Sequence, residues 1–436
     1  MKVMLFTCSS FSSAETTLTP QSLLFRRFHT YTLLGAILFT MLRLLFILSL
    51  SVLTAPLCAQ QQELYRPYSK MRLAETVKTY EALAKHTTWH KLPNTTLLRP
   101  GDESPLVQLL KENLQAIGDL KPDSSRTGNV YGPEITLAVQ RFQDRHGLIS
   151  DGIVGPNTLR ALNVSPQQRL FQLQLNLARF DSVLTRISSP YVLINLPEYA
   201  MVVVDSGRTI LRSRVIIGKP SLPTYTIYSE LNMVVLHPYW YVPTSIAVKE
   251  IVPILRRNPG YLGKKGMRLE KSTGTGWVRT NPWRVDWQQV NASNFDYRIV
   301  QLEGDVNELG HVKFPFPNRL PQYLHDTPSK ELFQYPKRAF SHGCIRVEKP
   351  VALANYLLER GSGYSAQKVD KLWQRNKPNH YIRVKEPVPL LIVYLTAWVD
   401  DQGQVQFRDD LYGYDVIPQV PLQGEAEALK SLPSGN

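Results

Sequence analysis

Cysteine is scarce in this chain of 436 residues, which has only three: Cys8, Cys58 and Cys344. The first two fall in an apolar leader expected to be removed, so Cys344 is left as a lone thiol and an internal disulfide is excluded. Zinc-type spacing is also missing, because no His-Glu-x-x-His and no paired-cysteine motif accompanies the histidines. No nucleic-acid motif is present. The net charge of +14 therefore points to polyanionic surroundings such as a membrane surface or wall polymers, and it says nothing about fold. A clean membrane span is lacking too. The apolar run from Tyr31 to Ala59 is broken by Arg43, and the run from Pro389 to Val399 has only about eleven residues, too few for a helix to cross a bilayer.

What is there begins with an export signal. Met41-Leu42-Arg43 reads as a short positive start, Leu44 to Leu53 as the apolar stretch of a secretory signal peptide, and Ala55 to Ala59 as its cleavage region. Residues 1–59 are thus expected to be a leader with Met41 as the true start, and the mature protein to be extracytoplasmic, most plausibly periplasmic. It would touch a membrane only through an uncleaved leader. The remaining length suits two or three domains.

The expected fold is α+β and multidomain. A helical scaffold segment (60–96) carries Met71, Val77, Tyr80 and Leu83 at helical spacing. Three short helices follow in 97–165. Ser104 caps the first, Gly132-Pro133 opens the second and Gly155-Pro156 the third, with proline placed where its missing N–H costs least. An amphipathic linker helix (166–188) presents Leu170, Leu173, Leu177 and Leu184. The period then changes to that of strands. Tyr191 to Leu196, Ala200 to Val204 and Leu211 to Ile217 are β-branched runs, with Asp205-Ser206-Gly207-Arg208 as a hairpin turn.

A mostly antiparallel β domain is therefore expected over 189–386. It carries an insertion at about 237–296 that does not read as sheet: a helix capped by Thr244 or Ser245 and running to Leu255, then a glycine-rich stretch from Gly263 to Gly276. Further strands are expected at Tyr297 to Leu302, His311 to Phe314, Gln322 to His325 and Cys344 to Val347. Separate C-terminal strands would fill 387–417, with a disordered tail over 418–436.

The chemistry centres on Ser341-His342-Gly343-Cys344-Ile345-Arg346-Val347 and on His325-Asp326-Thr327-Pro328 upstream. A free thiol is mostly protonated at neutral pH, so a nucleophilic cysteine needs a neighbouring imidazole. His342 would share a side with Cys344 on an extended segment, unless a turn at Gly343 breaks that relation. His325 is preferred as base if the two segments are neighbouring strands. Amides around Gly343 and Cys344 could form an oxyanion hole. Two plainer readings stand beside this one: Cys344 as a small buried hydrophobe, and His325, His342, Asp326 and Cys344 as metal ligands. Arg346 is open between a salt bridge to Glu348 or Asp326 and contact with a substrate carboxylate.

A histidine, fifteen residues and then Ser-His-Gly-Cys, an apolar residue and Arg resembles the L,D-transpeptidase catalytic domain. Val312-Lys313-Phe314-Pro315-Phe316-Pro317-Asn318 and Tyr323-Leu324-His325-Asp326-Thr327-Pro328 resemble its large periplasmic branch. In the helical block, Tyr131-Gly132-Pro133-Glu134, Ala138-Val139-Gln140-Arg141-Phe142-Gln143 and Asp151-Gly152-Ile153-Val154-Gly155 resemble a peptidoglycan-binding module.

The resemblance implies Cys344 as acylated nucleophile, His325 as base, and Ser341, His342 and Gly343 as supporting positions. Arg346, Tyr323, Trp240 and Asn318 are the substrate-contact candidates, although Trp240 could equally be a hinge-packing aromatic. The implied partners are peptidoglycan stem peptides, as donor and acceptor, and carbapenem-type inhibitors; no cofactor or metal is implied. The implied reaction forms peptidoglycan crosslinks through a cysteine acyl-enzyme with release of D-alanine, and the insertion would be a substrate-capping lid. The alternatives are an L,D-carboxypeptidase that uses water and a non-catalytic wall-binding scaffold.

Overall fold

The computed structural model describes residues 68–122, 128–183 and 189–416. The leader with Cys8 and Cys58, the end of the linker helix and the C-terminal tail lie outside the described residues. Among the described residues, no helix is long and apolar enough to cross a membrane.

Helix α1 (Lys70–His86) starts at Ser69, whose hydroxyl accepts from the Arg72 amide. Helices α2 (Pro105–Ala116), α3 (Pro133–Arg145) and α4 (Pro156–Leu162) each carry proline in the first turn, where no intrahelical N–H bond is lost. Their apolar faces meet in one core through Leu110, Leu114, Ile135, Val139, Phe142 and Leu162. Gln143 reaches from α3 to the Ile153 carbonyl and the Thr158 hydroxyl, tying α3 to α4.

Helix α5 (Pro166–Val183) is more than a spacer. It packs on α1, and the pair covers one face of the main sheet with Leu73, Tyr80, Leu173 and Phe180. That cover explains why β1 (Tyr191–Asn195) and β2 (Ala200–Asp205) are apolar at almost every position. Val192, Ile194, Met201 and Val203 enter the main core, while Leu193, Val202 and Val204 face the helix pair. A sheet covered on both faces replaces simple alternation with continuous apolar runs.

The sheet has nine strands. Strand β3 (Arg208–Gly218) follows a tight hairpin in which Ser206 and Gly207 both have positive φ. Its first part pairs with β2. Its later part meets β12 (Ile345–Val347) and β11 (Ala339–Ser341). From β12 the order continues through β10 (Leu324–His325), β9 (Val312–Phe314), β4 (Ile227–Leu236) and β13 (His380–Val393) to β1, so β3 closes the sheet on itself. Three pairings are parallel, β1 with β13, β10 with β12 and β11 with β3, and the rest are antiparallel. Helix α6 (Pro350–Arg360) fills the interior with Leu353, Leu357 and Leu358.

Two boundaries differ from expectation. Strand β13 runs across position 386 and lies between β4 and β1, so residues 387–393 belong to the main sheet rather than to a separate strand group. Only the hairpin of β14 (Ala397–Val399) and β15 (Val405–Phe407) stands apart.

The insertion is not purely helical. It holds a four-stranded antiparallel sheet of β5 (Trp240–Tyr241), β6 (Met267–Ser272), β7 (Trp277–Thr280) and β8 (Tyr297–Gln301). The glycine-rich stretch is in part the turn of the β6–β7 hairpin, and Tyr297–Gln301 joins this small sheet instead of the main one. The helix runs through Thr244–Ile246, a π-helical turn at Ala247–Ile251 and Val252–Leu255. Pro253 cannot donate the bond a regular helix needs, which accounts for the wide turn before it. Neither Thr244 nor Ser245 caps it: the N-cap is Pro243, with no side-chain bond. Ala247, Leu255, Leu269, Trp287 and Ile299 give the insertion its own core.

Candidate active site

Strands β10 and β12 lie side by side in parallel register, Leu324 opposite Ile345 and His325 opposite Arg346. Leu324 and Ile345 are both fully buried in the main core. Alternation along each strand then turns Tyr323, His325, Cys344 and Arg346 to the opposite side. On the other flank β9 pairs antiparallel with β10 and sets Lys313 opposite His325 on that same side. The ladder continues through the bond from the Ile345 amide to the Tyr323 carbonyl, 3.1 Å.

Cys344 is half-buried, and its thiol donates only to the Pro321 carbonyl, at 3.5 Å. Burial pushes the thiol up from its ordinary range, while the Tyr323 amide and hydroxyl, then Lys313 and Arg346, pull it back. His325 is 5% exposed, and its Nδ1–H donates to the Asp326 carbonyl. Because a carbonyl can only accept, this bond assigns the proton to Nδ1 and leaves Nε2 as a lone-pair acceptor. Burial, with Arg346 and Lys313 adding repulsion, holds His325 down at about 3, so the imidazole is neutral at neutral pH.

The Asp326 side chain does other work. It accepts from the His311 and Thr327 amides and pairs with Lys330, leaving the backbone carbonyl to orient His325.

The loop before Cys344 is fixed by Ser341 and Gly343. Gly343 has φ +110°, a conformation that L side chains rarely adopt. The turn breaks the same-side relation between His342 and Cys344. The His342 ring is exposed and meets Glu250 of the insertion helix at 2.5 Å. Ser341 is buried, donates to the Cys344 carbonyl and accepts from the Gly343 amide at 3.2 Å. The Gly343 N–H is therefore already satisfied and is not an open oxyanion donor, contrary to expectation. The Cys344 amide has no acceptor among the described residues. Thr224, fully buried, accepts from the Gly218 amide and donates to the Gly343 carbonyl, each at 2.8 Å. Nothing in the sequence around Thr224 marks this role, because its partner lies 119 positions away.

Three further candidates sort differently. Trp240 is half-buried in β5 and lies near enough to the Tyr323 hydroxyl to oppose the rise that burial gives it, so it links the insertion to the site. Asn318 gives its amide to the Phe316 and Gln322 carbonyls and takes the Leu320 amide. It clamps its own loop and has little left for a substrate. Arg346 forms neither expected salt bridge, since Glu348 pairs with Arg214 and Asp326 with Lys330. Its Nε is buried without a partner, and Glu308 and Glu331 act on it only at longer range. The metal alternative needs His325, His342, Asp326 and Cys344 to converge, whereas each polar side chain is drawn to a different partner. Among the described residues no cluster of three or more possible ligands forms.

Residues 189–385 match the family profile described as "L,D-transpeptidase catalytic domain", and residues 103–162 match the one described as "Putative peptidoglycan binding domain". A curated protein of Haemophilus influenzae named "Putative L,D-transpeptidase" is 34% identical over 224 residues, which is 51% of this chain and 44% of that protein. The chain thus spans less than half the length of this relative.

A crystal structure of an L,D-transpeptidase from Stackebrandtia nassauensis aligns over 69% of this chain and 97% of that one, at 13% identity and TM-score 0.24. Another, from Xylanimonas cellulosilytica, aligns over 69% and 100%, at 18% identity and TM-score 0.20.

Proposed function

The chain carries a catalytic domain of the L,D-transpeptidase family beside a peptidoglycan-binding-like domain, and from that premise we propose that it crosslinks peptidoglycan stem peptides through Cys344. The observation that carries this reading is the parallel pairing of β10 with β12, which sets His325 and Cys344 on one side of the sheet.

In the first step the neutral His325 Nε2 takes the thiol proton as the sulfur attacks the carbonyl of the third residue of a donor tetrapeptide. The tetrahedral oxyanion is met by the Cys344 amide and by the Tyr323 hydroxyl. As it collapses, the carbon–nitrogen bond breaks, the imidazolium returns its proton to the leaving D-alanine amine, and a thioester remains on Cys344. In the second step the side-chain amine of a neighbouring stem attacks the thioester, loses a proton to His325 and restores the thiol. The product is a crosslink between third residues. Arg346, whose Nε is buried without a partner among the described residues, is suited to a stem carboxylate. The insertion, joined to the site through Trp240 and through Glu250 on His342, acts as a cap. The reading implies a mature protein outside the cytoplasm, in the periplasm, where wall substrate and carbapenem-type inhibitors would meet it.

Purified chain incubated with disaccharide tetrapeptides tests the reading. The expected result is release of D-alanine together with a crosslinked dimer, both lost in Cys344→Ala. Release of D-alanine with no dimer even at high acceptor concentration would assign the chain as a carboxypeptidase. Neither product from wild type would leave it a wall-binding scaffold.

A further inference from the structure

The site holds a charge arrangement that a thiol and an imidazole alone do not explain. Lys313 sits on β9 opposite His325, half-buried, with Nζ 3.9 Å from the centroid of the Tyr323 ring. The Tyr323 ring is in turn 5.6 Å from the His325 ring, and its amide and hydroxyl act on the Cys344 sulfur. Among the described residues no carboxylate lies within salt-bridge distance of Lys313, and the ammonium is balanced only by the tyrosine face. A half-buried lysine without a counter-ion is costly unless its charge serves something nearby.

The groups that face Cys344 are Tyr323 and His325 on β10, Lys313 on β9 and Arg346 on its own strand. From the insertion, Trp240 reaches Tyr323, and Glu250 is taken by His342. Both cations face a sulfur that gains negative charge on ionising and a ring that gains positive charge on protonation.

We propose that Lys313 is a positioning residue of the reaction: through space, and across the Tyr323 ring, it favours the Cys344 thiolate and at the same time keeps His325 neutral. The inference rests on Cys344 being the nucleophile of the reaction described above. It adds that the charges of Lys313 and Arg346 ease the passage of the thiol proton to the neutral His325 imidazole as the sulfur attacks, by favouring the negative charge that develops on the sulfur. The electrostatics run in the required directions. Lys313 draws the Cys344 thiol down, and Cys344 draws the Lys313 ammonium up against its burial. Lys313 and Arg346 both push His325 down. A neutral histidine remains free to receive the acceptor amine's proton in the second half of the reaction.

The test reads the sulfur directly. Iodoacetamide forms a thioether with the thiolate and releases iodide, and its rate, followed on the Cys344 peptide by mass spectrometry across pH, gives the ionisation midpoint of that one thiol. In Lys313→Met the midpoint is expected to rise by about one unit, slowing alkylation at neutral pH about tenfold, and Lys313→Arg is expected to bring it back. The His325 ring signal in NMR is expected to titrate at higher pH in Lys313→Met than in wild type, a change a packing role would not produce. Lys313→Gln serves as a second neutral variant if the methionine chain melts early.

An unchanged midpoint in a folded neutral variant overturns the proposal, as does a raised midpoint that arginine fails to restore. Because alkylation needs no wall substrate, this outcome is independent of the crosslinking assay. Retained crosslinking in Cys344→Ser would sink the proposed function without moving the Lys313 result.

Discussion

Two regions of the molecule bury positive charge, and they do so in opposite ways. Where the helical module docks, β15 and the end of α3 meet around a cavity of about 230 Å³ lined by His146, Arg338, Arg408 and Glu198. There the cations are held by backbone carbonyls and by Asp119, although Arg145 Nη1 is itself buried without a partner among the described residues. Arg408 donates to the Arg145 and Phe407 carbonyls and lies so close to Gly147 that a Cβ would come within 2.5 Å of its Nε. Arg338 donates to the Val215, Tyr335 and Tyr199 carbonyls, and Arg145 holds Asp119. Beside Cys344, Lys313 and Arg346 meet no carboxylate in contact range among the described residues. Saturated cations act as mortar between domains, while unsaturated ones mark a place where charge will develop or a charged ligand will arrive.

Substitutions should separate the two regions most sharply at the sulfur. Cys344→Ala is expected to lower crosslinking by about 10⁴-fold or more. Its melting temperature should stay near wild type, because the one bond the thiol donates, to the Pro321 carbonyl, is long at 3.5 Å; thermal denaturation beside a muropeptide assay reads both. His325→Gln is expected to cost about 10²- to 10⁴-fold in the same assay.

The next effect belongs to both regions. His325 is held neutral down to about 3, and His146, stacked on Phe142 and buried by the junction, is likewise pushed well below its usual range by burial and by Arg145 and Arg169. An unfolded histidine binds its proton near pH 6.5. Below that value the unfolded chain therefore holds protons that the folded chain refuses. The stability each histidine contributes is complete above pH 6.5 and falls as pH drops below it, down to about 3 for His325, by up to about 1.4 kcal/mol per pH unit per histidine. Urea unfolding at pH 7, 6, 5 and 4 measures the slope, and His146→Phe should roughly halve it.

Arg408→Ala is expected to cost about 2 kcal/mol in stability while leaving carbapenem acylation of Cys344 unchanged. If acylation fell with stability, the junction and the groove would be one functional unit after all. The smallest effect is expected from Glu250→Gln. An exposed pair contributes at most about 1 kcal/mol, so the apparent KM for stem donor should shift by less than about fivefold.

The parts of this structure that were legible in the sequence are those set by local chemistry. Ser104, Pro133 and Pro156 announced the helices of the module, and the positive-φ pair Ser206-Gly207 announced the β2–β3 hairpin. The catalytic motif itself put Cys344 and His325 within one proposal. What was hidden depends on contacts distant in sequence. Strand β13 reads as two runs because its register shifts between Arg383 and Val388, yet it is one strand between β4 and β1. The insertion's sheet was masked by glycines that turn out to make a hairpin, with Glu270 buried by pairing to Arg268 and Arg298. Thr224 and Asn318 were respectively overlooked and misassigned for one reason: a side chain that satisfies a remote or local backbone carbonyl leaves no periodic trace.

Intact-protein mass spectrometry after incubation with a carbapenem tests the central claim most directly. The account predicts one covalent adduct per chain, mapping to the Cys344 peptide, slowed at least a hundredfold in His325→Gln and absent in Cys344→Ala. A folded wild-type chain that acquires no adduct, or acquires it on another residue, would contradict it.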